Sequence, residues 1–348
     1  SKARELEKEG KNILHFELGD PEFDTPEPVI QKTIESLKSG RTHYESSFGD
    51  SNLREKAIEV TSKSRKFTPS IDQLLVTPGA NFQIYLALSC IADSGDEVII
   101  PDPGFVSYLS IVNFLGMKAI PLHLKEANNF QYKSCDISKL ITSKTRAIVI
   151  NSPGNPTGGV TEKKELEEIY ELAERFNIWI ISDEIYARII YPEGPRFFSV
   201  GSIDKCKERT IIVNGFSKAF AMTGWRVGIV TAPVFLTEKM NLLLESTLSC
   251  VPGFIQEGAL EALSLKEEFW RSMVENYKER RNHLVQGLNS IKGFKCSIPH
   301  GAFYAFPNIK GTGLDDITIS KKLLVQCGIA ITPGSFFGAN GKNNIRFS

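Results

Sequence analysis

The chain has no surplus of either charge, since 41 Lys and Arg are matched by 41 Asp and Glu across 348 residues. A protein that grips nucleic acid or an anionic membrane surface usually carries a basic excess. Its absence argues against both partners and leaves small molecules or further copies of the chain. No apolar run approaches the ~20 residues that cross a bilayer. Ser1-Lys2-Ala3-Arg4-Glu5 opens on charges where a signal segment would place its apolar core. Cysteine is sparse and scattered: Cys90, Cys135, Cys206, Cys250, Cys296 and Cys327 include no C-x-x-C pair. They read as reduced thiols of the cytoplasm or an equivalent reducing lumen, not as a metal knuckle or redox motif. His15, His43, His123, His283 and His300 have no H-E-x-x-H spacing, so no metal is expected. Internal repeats, low-complexity tracts and flexible linkers are also missing. The length allows two domains, or one large α/β unit with an appendage.

What is present is an alternation. Between residues 71 and 230, apolar runs at 73–76, 97–100, 118–120, 146–150, 178–181, 210–213 and 227–230 are separated by helical stretches such as 81–92, 105–115 and 161–176. Continuous apolar strands of this kind predict a mostly parallel seven-stranded sheet with helices on both faces. Before it stand a strand at 13–18, a helix from Thr25, with Thr25 as N-cap, to about residue 38, and another over about 52–63. After residue 233 come helices near 236–248, 253–264 and 267–289. Strand-like runs at 294–297 and 302–306, a helix near 315–327 and a run at 328–331 then suggest a smaller α/β domain that packs with the chain start. The expected division is 29–278 for the large domain, and 1–28 with 279–348 for the small one.

In open parallel sheets ligands sit at the carboxyl ends of the strands, and the unusual residues cluster there. Lys218 follows the run 210–213 and is flanked by Ser217, Ala219 and Phe220. Apolar surroundings disfavour its ammonium form and make it a candidate amine nucleophile; an ordinary surface lysine is the alternative. Eight residues on, Arg226 adds a planar cation. Gly79-Ala80-Asn81 joins a strand to a helix, so its backbone N–H groups form an anion site at a helix N-terminus. Asp183, just past the run 178–181, is either a helix cap or a carboxylate aimed at a ligand. Asn155-Pro156-Thr157-Gly158 could be a turn alone. Phe105 could be core, and Tyr44, in a polar loop, could simply pack or face water.

Ser217-Lys218-Ala219-Phe220-Ala221-Met222-Thr223-Gly224-Trp225-Arg226 resembles the pyridoxal-phosphate lysine signature of the class I/II aminotransferases, the fold type I enzymes. Gly19-Asp20-Pro21, Asn151-Ser152-Pro153-Gly154-Asn155-Pro156-Thr157-Gly158, Ser182-Asp183-Glu184-Ile185-Tyr186 and Arg346 follow the family's order, and the resemblance runs from about residue 11 to the end. It implies pyridoxal 5′-phosphate as cofactor, joined to Lys218. Asp183 would partner the ring nitrogen, Tyr186 and Asn155 the ring oxygen, and Phe105 a ring face. Gly79, Ala80, Asn81, Ser217 and Arg226 would hold the phosphate. Gly19, Asn155 and Arg346 would receive the substrate, Arg346 gripping its α-carboxylate. Tyr44 would reach the phosphate of a neighbouring subunit, which implies a homodimer with shared active sites. The implied reaction moves an amino group from an L-amino acid to a 2-oxo acid by a ping-pong route. A pyridoxal-phosphate-dependent lyase or cyclising enzyme on the same fold is the alternative, and a non-catalytic sensor domain comes third.

Asn81 departs from relatives that place a lysine there to contact a distal carboxylate, while Pro103-Gly104-Phe105 is similar to the alanine and aromatic branches. Both leave the amino-acid and oxo-acid pair open. The family usually continues with a further helix beyond Arg346-Phe347-Ser348, so a longer chain is expected.

Overall fold

A computed structural model describes residues 2–348. Its strands are β1 (Leu14–His15), β2 (Leu74–Thr77), β3 (Glu97–Asp102), β4 (Lys118–His123), β5 (Thr145–Asn151), β6 (Trp179–Asp183), β7 (Thr210–Val213), β8 (Gly228–Thr231), β9 (Ile329–Ala330), β10 (Thr332–Pro333) and β11 (Ile345–Arg346). Seven of them form one sheet in the order β2-β8-β7-β6-β5-β3-β4. Strands β4, β3, β5, β6 and β7 run parallel, whereas β8 is antiparallel to both of its neighbours. This is the mostly parallel α/β sheet that the apolar runs predict.

The runs are continuous because both faces are covered. Val98, Ile100, Ala147 and Val149 point to one side and pack with Ile84 and Leu88 of the helix Ala80–Ile91. Ile99, Ile148 and Ile150, one residue out of phase, pack on the other side with Leu166 and Ile169. The helix Lys163–Arg175 supplies those two, and its buried Leu166, Ile169, Tyr170 and Ala173 make a single apolar stripe. The chain ends meet through β1, which pairs in parallel with β9. Near them β10 pairs antiparallel with β11, and that places Arg346 on a strand.

Three local expectations change. The strand at 13–18 shrinks to two residues, since its only ladder partner, β9, is that short. Thr25 does not cap the helix Glu27–Lys38; Pro26 holds the cap position, and the Thr25 hydroxyl donates instead to the Ala221 carbonyl oxygen at 2.7 Å. The runs 294–297 and 302–306 form isolated bridges, Lys295 with Asn308 and Ala305 with Phe347, rather than strands. Ala302 sits at φ 55°, a left-handed turn that interrupts pleating, and Pro299 and Pro307 offer no N–H to a ladder. Among the described residues no helix is long and apolar enough to cross a membrane.

The helix Ser51–Arg65 begins at Asp50, whose carboxylate accepts from the Asn52 and Leu53 N–H groups at 2.8 and 3.2 Å and also pairs with Arg41. Replacing Asp50 with Ala is expected to cost on the order of 1–2 kcal/mol, read as a lower urea midpoint with an unchanged slope.

Candidate active site

The parallel register brings three strand ends side by side: Asn151 of β5 pairs with Asp183 of β6, and Asp183 with Val213 of β7. A cavity of about 300 Å³ opens at this edge. Lys218 and Ser217 enter it five and four residues past β7, and Asp183 and Tyr186 enter from the end of β6. Asn155 comes from the turn after β5, while Gly19 and Arg346 come from the two chain ends. Ala80, Asn81, Phe105 and Arg226 complete the set of expected residues that line it.

Lys218 is mostly buried, and desolvation pushes its ammonium down to about 8, with Arg346 and Arg226 adding to the effect while Asp20 and Asp183 oppose it. Its Nζ donates to the carbonyl oxygen of Gly19. Gly19 leaves no room for a side chain, because a Cβ there would meet the Tyr304 hydroxyl. Asp183 is fully buried. Desolvation raises its carboxyl from an ordinary 3.8 to about 6, although the Tyr108 hydroxyl, donating to Oδ2 at 2.6 Å, and the Ile185 N–H, donating to Oδ1 at 3.2 Å, pull the other way. Residues 185–188 form turns and no helix begins there, so Asp183 is not a helix cap.

Burial holds the Tyr186 phenol protonated, and its hydroxyl lies 2.6 Å from that of Tyr304. Arg346 is sandwiched between the rings of Tyr304 and Phe337, its guanidinium carbon 4.7 and 4.9 Å from their centroids. Its Nη1 donates to Asn155 Oδ1 at 3.1 Å and its Nη2 to the Glu17 carbonyl oxygen, while buried Nε has no partner. The fork is thus oriented but not neutralised, since neither acceptor is a carboxylate.

The anion cradle depends on Gly79, which stands at φ 85° just before the helix Ala80–Ile91. A Cβ there would lie 2.6 Å from Arg226 Nη2, so the glycine lets a guanidinium approach the N–H end of the helix. Arg226 is itself oriented by donating from Nη1 to the Thr223 carbonyl oxygen at 2.8 Å. Gln83, on the first turns of the same helix, locks it to the strand before Lys218: its Oε1 accepts from the Asn214 N–H at 2.9 Å and its Nε2 donates to the Asn214 carbonyl oxygen at 2.8 Å. Two positive ends therefore converge where an anion would sit.

These features fit pyridoxal phosphate. The cradle suits a phosphate, the buried carboxylate suits a cationic ring nitrogen, and the desolvated amine suits an aldehyde. Two expected residues do not line the cavity: Gly79, which sits behind Arg226 and leaves it room, and Tyr44, which stands apart and is 87% exposed. The sequence assigned no role of their own to Tyr108, Asn151 and Tyr304, which line the cavity too. Tyr108 follows Phe105 by three positions in an apolar helix, and a tyrosine there signals a buried hydroxyl in need of a partner. Asn151 donates from Nδ2 to the Asp183 carbonyl oxygen at 3.2 Å, and Tyr304 carried no local signal beyond its strand-like run.

A family model described as Aminotransferase class I and II matches residues 11–348. The chain is 40% identical over 341 residues to an aspartate aminotransferase of Pyrococcus abyssi, an alignment that covers 97% of this chain and 87% of the relative. It is 39% identical over 342 residues to aromatic-amino-acid aminotransferase 2 of Thermococcus litoralis, again covering 97% and 87%. Among solved structures it superimposes on an aromatic aminotransferase from Pyrococcus horikoshii with a TM-score of 0.93 at 37% identity, covering 99% of this chain and 93% of that one.

The Asp183 carboxyl yields a pH test on the ligand-free protein. Its folded value of about 6 exceeds its ordinary 3.8, so between those pH values the native state holds more proton than the unfolded one. Stability from this group therefore falls as pH rises through the window, by an amount on the order of 3 kcal/mol. Asp183→Asn should raise the Tm of the ligand-free protein more at pH 8 than at pH 4, and an equal change at both would show an unstrained carboxylate.

Proposed function

We propose, for a chain that belongs to the class I and II aminotransferases and moves an amino group from an amino acid to a 2-oxo acid, that Lys218 is the catalytic amine and that pyridoxal 5′-phosphate occupies the cavity around it. The observation that carries this reading is the meeting of a desolvated lysine with a fully buried carboxylate and an anion cradle at one sheet edge. Bound there, pyridoxal phosphate supplies an electrophilic carbon and a ring that takes up the electron pair left at the substrate Cα. Ala80, Asn81, Ser217 and Arg226, with Gly79 leaving the space, would hold its phosphate. Asp183 would face its ring nitrogen, Tyr186 and Asn155 its ring oxygen, and Phe105 a ring face.

Lys218, titrating near 8, has an appreciable neutral fraction around neutral pH and so can take the proton from the substrate Cα as base and return it as acid. Arg346, oriented by Asn155 and Glu17 with Nε still free, grips the α-carboxylate, and the Gly19 backbone closes that side. Tyr108 keeps Asp183 oriented through its 2.6 Å hydrogen bond. A reducing compartment such as the cytoplasm suits the six unpaired cysteines.

The same reading makes the active unit a symmetric homodimer. Tyr44 is a large aromatic left almost wholly exposed, on a loop anchored by Arg41, which pairs with Glu45, Asp50 and Glu257. An isologous partner would bring the Tyr44 hydroxyl to the phosphate of the opposite site.

Lys218→Ala should lower turnover by at least about 10²-fold and abolish covalent labelling by borohydride in the presence of the cofactor. Persistent labelling would remove Lys218 from this role. In an assay with an amino-acid panel plus pyruvate or 2-oxoglutarate, new amino acid is the expected product; release of ammonia or thiol without it would point to a lyase.

Tyr44→Phe should weaken cofactor retention by about 1.5–3 kcal/mol, the worth of one charge-assisted hydrogen bond. When Tyr44→Ala and Lys218→Ala chains are refolded together, both lesions can fall in one site, so verified heterodimers should regain one good site each. Heterodimers without activity, or a fully active monomer, would show that Tyr44 does not act across an interface.

A further inference from the structure

Behind the Lys218 segment lies a second cavity, of about 160 Å³. Phe216, Ala219 and Phe220 form one of its walls, whereas Lys218 itself faces the cavity already described. It reaches the surface beside Ser64, which is exposed on the last turn of the helix Ser51–Arg65.

Two guanidiniums share this space. Arg65 is only 7% exposed. Its Nε donates to Glu184 Oε2 at 2.6 Å and its Nη1 to Ser64 Oγ at 3.1 Å, while buried Nη2 has no partner. Arg188 lies with its guanidinium carbon 4.1 Å from the ring centroid of Trp270 and 4.8 Å from that of Phe220, and its buried Nη1 likewise has no partner. Burial, with the Arg65 charge adding to it, pushes Arg188 down to about 10.

The nearby acids are already engaged. Glu184 Oε2 accepts from Arg65, and Oε1 accepts from Ser182 and Ser199 at 3.1 and 2.6 Å. Glu267 is exposed and pairs with Arg271 at 3.2 Å. Two cations therefore face the cavity, and the single carboxylate among its lining residues is already bound to one of them. A buried charge without a counter-ion is costly, and unmade guanidinium hydrogen bonds add to the cost. Water satisfies donors but brings no charge.

We propose that this cavity is a binding site for a small organic monocarboxylate, its carboxylate held by Arg65 and Arg188 and its body against Phe216, Phe220 and Leu263. A dry apolar cavity of about 150 Å³ accommodates a benzene-sized molecule, so the ligand has roughly six non-hydrogen atoms. Inorganic phosphate is disfavoured because it has no apolar body to set against Phe216, Ala219, Phe220 and Leu263 and its higher charge costs more to desolvate. The site is separate from Arg346 and independent of which cofactor Lys218 serves.

Isobutyrate is the probe. In calorimetric titration of the full chain carrying Arg346→Gln and saturated with pyridoxal phosphate, which together remove the carboxylate fork of the other cavity and fill its anion cradle, one equivalent should still bind per chain. Adding Arg188→Met, which keeps apolar bulk between Trp270 and Phe220, should weaken that binding about tenfold or more, and inorganic phosphate should bind more weakly than isobutyrate. A crystal of the Arg346→Gln protein soaked in isobutyrate gives a readout that does not depend on the Arg188 variant folding: branched density between Arg65 and Arg188 is expected. No saturable binding, affinity unchanged by Arg188→Met, phosphate bound as tightly as isobutyrate, or only water density in the cavity would each overturn the assignment.

Discussion

The shared register of β5, β6 and β7 is the constraint on which everything else at the site rests. Parallel strands all present their carboxyl ends to one edge, and the pairing of Asn151 with Asp183 and of Asp183 with Val213 fixes which residues meet there. A slip of one residue would turn Asp183 to the opposite face and separate it from Tyr108. The Gln83 carboxamide extends this order sideways, since it binds both the N–H and the carbonyl of Asn214. The helix that offers its N-terminus to an anion is thereby held to the strand that delivers Lys218.

Burial sets the chemistry within that frame. It pushes Lys218 toward the neutral amine and Asp183 toward the neutral acid, so each would gain from a bound group of the right charge. Arg346 is handled differently. Two aromatic faces and two neutral acceptors hold its plane without cancelling its charge, and a carboxylate entering the cavity meets a pre-aimed fork. Strong local fields of this kind destabilise the ligand-free protein and strengthen recognition.

The Arg65 and Arg188 cavity follows the same physics on the reverse side of the Lys218 turn. Ile185 lines both cavities, and residues 216, 219 and 220 line one while 217 and 218 line the other. The turn is therefore a thin partition between two cationic chambers.

The sequence alone determined the sheet, because strand and helix periodicities are local and continuous apolar runs require cover on both faces. It also singled out Lys218, Asp183 and Asn155, since each follows such a run and ligands collect at strand ends, and Arg226 by its spacing from Lys218. It misread Thr25, whose hydroxyl binds Ala221 and accepts from Trp225 Nε1 across about 200 residues of chain instead of capping its own helix. Only the tertiary structure could place Tyr108 on Asp183, 75 residues away, or Arg346 on Asn155, 191 residues away. It also left Arg65 and Arg188 facing one cavity. Such pairings depend on strand register and on the order in which the strands assemble, and neither leaves a mark on the spacing of residues along the chain.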